Sequence, residues 1–195
     1  MNPITHILTG WCLAESVPAL QRREKALVTI AAALPDIDGA GIIAELLTRN
    51  TRQPLFWYTD YHHVIGHNLA FAALIAVIAA AAARGHRLGT ALLAFTAVHL
   101  HIAADLAGSR GQDGYQWPIP YLYPFTNEIQ LTWSGQWHLH AWPNVVLTIL
   151  LMMATGFLAW RRGYSIVSLL SPAADRLFVQ TLRARFGQPD SATPS

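Results

Sequence analysis

Three stretches of this 195-residue chain, residues 64–83, 88–107 and 143–160, are apolar over nearly the length that crosses a bilayer, about 20 residues for a helix. A chain that must satisfy its backbone polar groups inside lipid has two choices, helices or a closed barrel. Runs this long and this rich in Ala and Leu select helices. For residues 69–83 taken alone, a buried helix of a soluble bundle is the alternative. Three such runs with aromatic and basic flanks favour a membrane. Two weaker segments precede them: residues 4–20 carry Glu15, and residues 26–34 are too short to span. The expected fold is all-α, an integral membrane helical bundle forming a single domain over residues 1–187, with an aromatic-rich loop between the last two long helices and a disordered tail at 188–195.

Composition narrows the function. Hydrophobic residues make up 53% and charged residues 12%, with mean hydropathy +0.30 and a net charge of only +2. No Lys/Arg stripe interleaves with aromatics, so nucleic acid is not an expected partner; membrane lipids are. Cys12 is alone, which excludes an internal disulfide and a cysteine zinc knuckle. The Met-Asn-Pro-Ile-Thr-His start lacks the pattern of a cleaved signal peptide. No Gly-x-Ser-x-Gly elbow, Walker loop or Rossmann glycine pattern occurs.

Charge also sets an orientation. Arg22, Arg23 and Lys25, then Arg84 and Arg87, then Arg161 and Arg162 punctuate the segments. If each segment crosses or dips once, all three groups share one side, which the positive-inside rule makes cytoplasmic. The His/Asp groups at residues 6, 36–38, 62–67, 99–105 and 138–140 then fall near the opposite helix ends, on the non-cytoplasmic face of a multi-pass inner-membrane protein.

In a chain so poor in charge, acids and imidazoles at the ends of apolar runs form the donor set of a zinc-type site. His101 and Asp105 lie four apart and share one helix face. An ionisable residue inside such a run is a functional candidate by default. His99 points away and reads as structural. His67 is the firmest ligand of the His62, His63, His67 group; His63 and His67 share a helical face, and His62 can approach separately if the helix begins after His63. Asp36 follows Pro35 where a turn can aim it; Asp38 is a ligand, a base or a helix cap. His6 gains interest only from the pattern. His138 and His140 sit among tryptophans and read mainly as belt residues. The loop at 108–142 holds Trp117, Tyr121 and Tyr123, expected either as an interfacial belt or as a cap that contacts substrate. Residues 172–186 pattern as a surface-lying helix on the basic side.

Four motifs carry a family resemblance. Leu34-Pro35-Asp36-Ile37-Asp38, the stretch from His62 to Leu69, His101-Ile102-Ala103-Ala104-Asp105 and Tyr121-Leu122-Tyr123-Pro124-Phe125 resemble, in order, those of the bacterial membrane-bound, metal-dependent hydrolases called YdjM-like. His63 stands where that family has Arg, and Gly66-His67-Asn68 where it has Thr-His-Ser. The motif order is also similar to that of zinc-dependent phospholipase C and the related single-strand nucleases. That resemblance implies a zinc pair, with Asp36, His67 and His101 on the first ion, His6 on the second and Asp105 between them. The expectation is a membrane-bound hydrolase of a phosphoester or lipid-linked substrate, with Asp36 or Asp38 taking the proton from water. The alternatives are a catalytically silent membrane protein with a structural metal site or a partner-docking role, and a metal-ion transporter, against which the placement of ligands at helix ends counts.

Overall fold

The computed structural model describes residues 1–111 and 114–189; the expected tail falls mostly on 190–195, outside the described residues. Helix α1 (Pro3–Glu15) starts where Asn2 accepts the Thr5 N–H at 2.9 Å and Pro3 fills the first turn. Helix α2 (Arg22–Ala31) runs into a 3-10 helix (Leu34–Ala40) and α3 (Gly41–Thr48), with a 46° bend at the break. After the short α4 (Trp57–Tyr61), a compact turn leads to α5 (Leu69–Ala82), capped by Asn68 through the Phe71 N–H at 2.8 Å. Helix α6 (Arg87–Gly108) returns beside α5. Among the described residues, the long connection holds a two-residue antiparallel ribbon, β1 (Ile119–Pro120) on β2 (Gln130–Leu131). Helix α7 (Trp142–Arg162) stops at Gly163, whose φ of 81° supplies the left-handed cap. Helix α8 (Pro172–Phe186) ends the described chain with Leu177, Phe178 and Phe186 exposed.

Helices α6 and α7 are long and apolar enough to cross a membrane, and the bent pair formed by α2 and the 3-10/α3 segment passes the same test as a broken span. The first expected run does not. Its helix begins at Leu69 because the backbone from His62 to Asn68 turns to face the His/Asp groups, leaving 14 residues; at ~1.5 Å per residue these cover roughly 21 Å of a ~30 Å core.

The helices meet through small side chains. Ala14, Val28, Ala31, Ala32, Ala72, Ala79, Ala94, Ala97 and Val98 are buried together where α1, α2, α5 and α6 converge. Such residues bring backbones close and let packing hold helices without a hydrophobic drive. Large apolar side chains point outward instead, as on α7 with Val145, Ile149, Met153 and Phe157, the arrangement of a lipid-facing surface.

The chain ends of the segments sort by chemistry. At one end Arg23 donates to the Ala82 carbonyl (2.7 Å) and Glu24 accepts the Arg84 and Gly85 N–H groups (3.0 Å each). Glu15 pairs there with Lys25 and Arg162. The three basic groups that punctuate the sequence therefore lie together. His6, His63, His67 and His101 gather with Asp36 and Asp105 at the other end.

Candidate metal centre

Asp105 is the hub. It rises from the last turns of α6 together with His101, whose Nε2 lies 2.9 Å from Asp105 Oδ2. Helix α1 brings His6, with Nε2 3.3 Å from Asp105 Oδ1 and its ring stacked on His101 at 3.6 Å. The turn before α5 brings His67, with Nε2 3.2 Å from Asp105 Oδ2 and 3.1 Å from His101 Nε2. His63 Nε2 stands 4.0 Å from the same carboxylate. The 3-10 helix brings Asp36, its Oδ1 3.5 Å from His101 Nε2. Ser109 donates to Asp105 at 2.8 Å, and the Met1 amine contacts both. His6, His67, His101 and Asp105 are each no more than 1% exposed.

Two ligand sets emerge, each with its donor atoms within 4.8 Å of one another: His6, Asp36, His101 and Asp105, and His63, His67 and Asp105. Asp105 belongs to both, and a carboxylate with two oxygens can serve both.

The hydrogen bonds fix the tautomers. His101 Nδ1 donates to the Ala32 carbonyl (2.7 Å), and His67 Nδ1 donates to Asp38 Oδ2 (3.1 Å). With Nδ1 so engaged, both rings turn Nε2 toward each other and toward Asp105. Burial pushes the His67 imidazole down to about 4 and the His63 imidazole well below its ordinary value, so neutral rings prevail there near pH 7. His6 Nε2, Asp36 Oδ2 and His63 Nδ1 are buried without hydrogen-bond partners. A cluster of acceptors short of protons is stable when a cation sits among them, and a neutral imidazole is the form that binds metal. The donor set of N and O atoms fits a zinc-type ion.

Asp38 works from behind. Its carboxylate accepts from His67 Nδ1, from His62 Nδ1 (2.8 Å) and from the Gly66 N–H (3.0 Å), the carboxylate–histidine arrangement that orients a metal ligand. The glycine at 66 has a steric reason: a Cβ there would lie 2.2 Å from the Pro35 carbonyl oxygen. Gly66 and His67 thus keep the bonding to Asp38 that aims the ring.

The expected ligands His6, Asp36, His67, His101 and Asp105 come together. His62 stands outside both ligand sets, bonded to Asp38 and stacked on Tyr58 at 4.6 Å. His63 takes a place inside, through a left-handed φ of 68° that no sequence periodicity reveals. His99 donates to the Phe95 carbonyl and accepts from the Tyr121 hydroxyl (2.8 Å each), a structural role that takes Tyr121 away from the cluster. Trp117 sets its edge against Tyr58, His62 and His63. Tyr123 lines an adjoining cavity with Trp117 and His62. His138 donates to the Gly111 carbonyl (2.9 Å), and His140 lines the mouth of the centre.

A cavity of about 400 Å³ opens onto Asp36, His63 and Asp105, with Arg110 and Trp117 in its wall. Arg110 escaped the sequence reading because nothing marks one arginine in an aromatic loop; its Nε donates to the Gly114 carbonyl at 3.1 Å, and it shares the cavity wall with Asp36 and Asp105.

Membrane-length apolar helices with a buried His/Asp cluster at their ends define a membrane protein with a candidate metal centre. The chain belongs to the YdjM inner membrane protein family, whose model matches residues 1–185. No curated protein and no solved structure matches it.

Proposed function

We propose that the chain is a membrane-bound, metal-dependent hydrolase of a phosphoester carried by a lipid or lipid-linked molecule. The observation that carries this reading is the convergence of buried imidazole nitrogens and a second carboxylate on Asp105, next to a cavity that reaches Asp36. His6, Asp36 and His101 would hold one ion of a zinc pair and His63 and His67 the other, with Asp105 shared. A bound ion of this kind acidifies water and draws charge from a phosphoryl or ester oxygen.

The remaining work belongs to side chains. Asp38 fixes His67 against rotation through Nδ1. Asp36 Oδ2, buried without a hydrogen-bond partner while its side chain is 23% exposed, takes up the proton that water releases. Arg110 pairs with the anionic oxygens of a substrate in the cavity. Trp117 covers His62 and His63 and keeps bulk water from that side. The charge bias supports a centre on the non-cytoplasmic face; cysteines placed beside His62 and beside Arg84 are expected to label from opposite sides of sealed vesicles.

A catalytically silent protein with a structural metal is the second reading, favoured by the near-complete burial of His67 and His101. Elemental analysis of the detergent-purified wild type beside His101→Ala, with hydrolysis of a phosphoester panel, separates the two. Stoichiometric divalent metal in the wild type, its loss in the variant and turnover that disappears with it support the hydrolase. Metal without turnover supports the structural site. A wild type without stoichiometric metal, or turnover unchanged in Asp105→Asn, overturns the hydrolase.

A further inference from the structure

Asp36 lines two cavities. One is the polar cavity over the candidate centre; the other is an apolar groove of about 740 Å³ between α1, α2 and the 3-10 turn Ile166–Leu169. On α1 the side chains divide sharply: His6 points into the cluster while Ile4 and Ile7, its neighbours, line the groove. Among the groove's lining residues only Thr29 and Asp36 carry polar side chains. The Thr29 hydroxyl is already spent on the Lys25 carbonyl at 2.8 Å. The groove is therefore hydrocarbon-like along its length and acidic at one end, where it meets the centre.

We infer that this groove holds the hydrocarbon tail of a single membrane lipid whose polar head reaches the His/Asp centre. The inference deepens the hydrolase reading by naming the substrate's anchor, and rests on it for the reaction. Length supports it. From Ala26 to Ala33 the groove follows α2 for about 10 Å at ~1.5 Å per residue, and the 3-10 turn to Ile37 adds about 6 Å. Together these match roughly half of the ~30 Å hydrocarbon thickness, one leaflet. Direction agrees too: the groove starts at the cluster and runs toward the basic end, as a lipid tail runs from its head into the bilayer. Ile4, Ile30 and Ile37 stay more than half exposed, so the groove is open along its side and a lipid can enter laterally from the bilayer.

The test uses metal-loaded full-length protein in phosphatidylethanolamine–phosphatidylglycerol vesicles, doped with a phosphatidylglycerol whose acyl terminus bears a diazirine. After irradiation, label is expected to concentrate on the peptides holding Ala26 to Ile30 and Ile166 to Leu170, several-fold above the outer face of α7. Ala26→Trp, which fills the far end, should cut that label several-fold, while Ile149→Trp on the outer face of α7 should not. Equal label on the groove and on α7 means ordinary boundary lipid and overturns the inference, as does label indifferent to Ala26→Trp. A cross-link joining two protein chains assigns the groove to a second copy and overturns it as well. If Ala26→Trp fails to fold, Ile7→Trp blocks the groove from α1, and the wild-type distribution decides by itself. Phosphoester turnover measured in the same vesicles keeps the two ideas apart: silent chemistry with intact groove labelling removes the reaction and leaves the lipid.

Discussion

At the basic end of the helices, Glu15 is buried between Lys25 (3.0 Å) and Arg162; the Lys25 ammonium donates to the Tyr164 hydroxyl (2.7 Å), which in turn donates to Glu15 (2.9 Å). Nearby, Asp175 accepts the Ser165 N–H and hydroxyl at 2.8 and 2.7 Å. Each of these acids meets opposite charge or donors. At the other end Asp36, Asp38 and Asp105 face imidazoles rather than ammonium or guanidinium side chains, and His6, His63 and Asp36 each keep a buried atom without a partner. Both ends bury ionisable groups at a desolvation cost. At the basic end opposite charges do most of the offsetting, with Glu15 set against Lys25 and Arg162; at the other end Asp38 has its three donors and Asp105 has Ser109 and the Met1 amine. Buried atoms without hydrogen-bond partners occur at both ends, Glu15 Oε1 and Glu24 Oε2 at the basic one; what marks the other as a ligand site is that donor atoms of His6, His63, His67, His101 and Asp36 converge on one carboxylate, Asp105.

The comparison breaks first at its hub. Asp105→Asn leaves shape and size nearly unchanged but removes the charge and one of the two acceptor oxygens shared by the two ligand sets. Bound divalent metal is expected to fall from stoichiometric to trace by elemental analysis, the largest effect of any single change here. Retained metal would mean that the two sets do not depend on a common carboxylate. Glu15→Ala tests the opposite end. It strands Lys25 and leaves Arg162 without its partner, and removing one member of a buried pair costs about 3–5 kcal/mol. A large drop in the thermal midpoint in detergent is expected, with metal content per folded chain unaltered.

Much of the centre could be read from the chain because the i, i+4 spacing of His101 and Asp105 survives folding as a shared helix face. The gathering of arginines away from the histidines was legible for a similar reason: alternate helix ends are separated by the length of the helices themselves. What periodicity could not give was the path from His62 to Asn68. Helical reasoning extends the apolar run back to Val64, whereas the backbone turns through a left-handed His63 and starts α5 only at Leu69. His63 and His67 meet as helical spacing would pair them, but through that turn, which leaves His62, the separately approaching candidate, bonded to Asp38 and outside the ligand sets. The role of Asp38 was hidden too, because a carboxylate that bonds a ligand and one that is a ligand look alike in sequence.

A smaller effect is expected from Asp38→Asn. The amide keeps one acceptor but loses the charge that steadies His67, and it cannot accept from His67, His62 and Gly66 as the carboxylate does. Loss of such a supporting carboxylate lowers metal affinity about 10–100-fold, roughly 1.4–2.7 kcal/mol, measurable by competition with a chelating dye. A loss as complete as that of Asp105→Asn would promote Asp38 from support to ligand.

The mildest change of the series is His62→Ala. It removes one of three donors to Asp38 and one ring beside Trp117, while the Gly66 N–H and His67 still hold the carboxylate in place. Metal affinity should fall by less than ~10-fold, under about 1.4 kcal/mol, because no donor atom of either ligand set is lost. Any larger penalty should fall on turnover, through a Trp117 that no longer packs over the cavity. Should His62→Ala instead release a full equivalent of metal, the left-handed turn at His63 would not separate ligand from neighbour, and the two histidines would have to exchange roles.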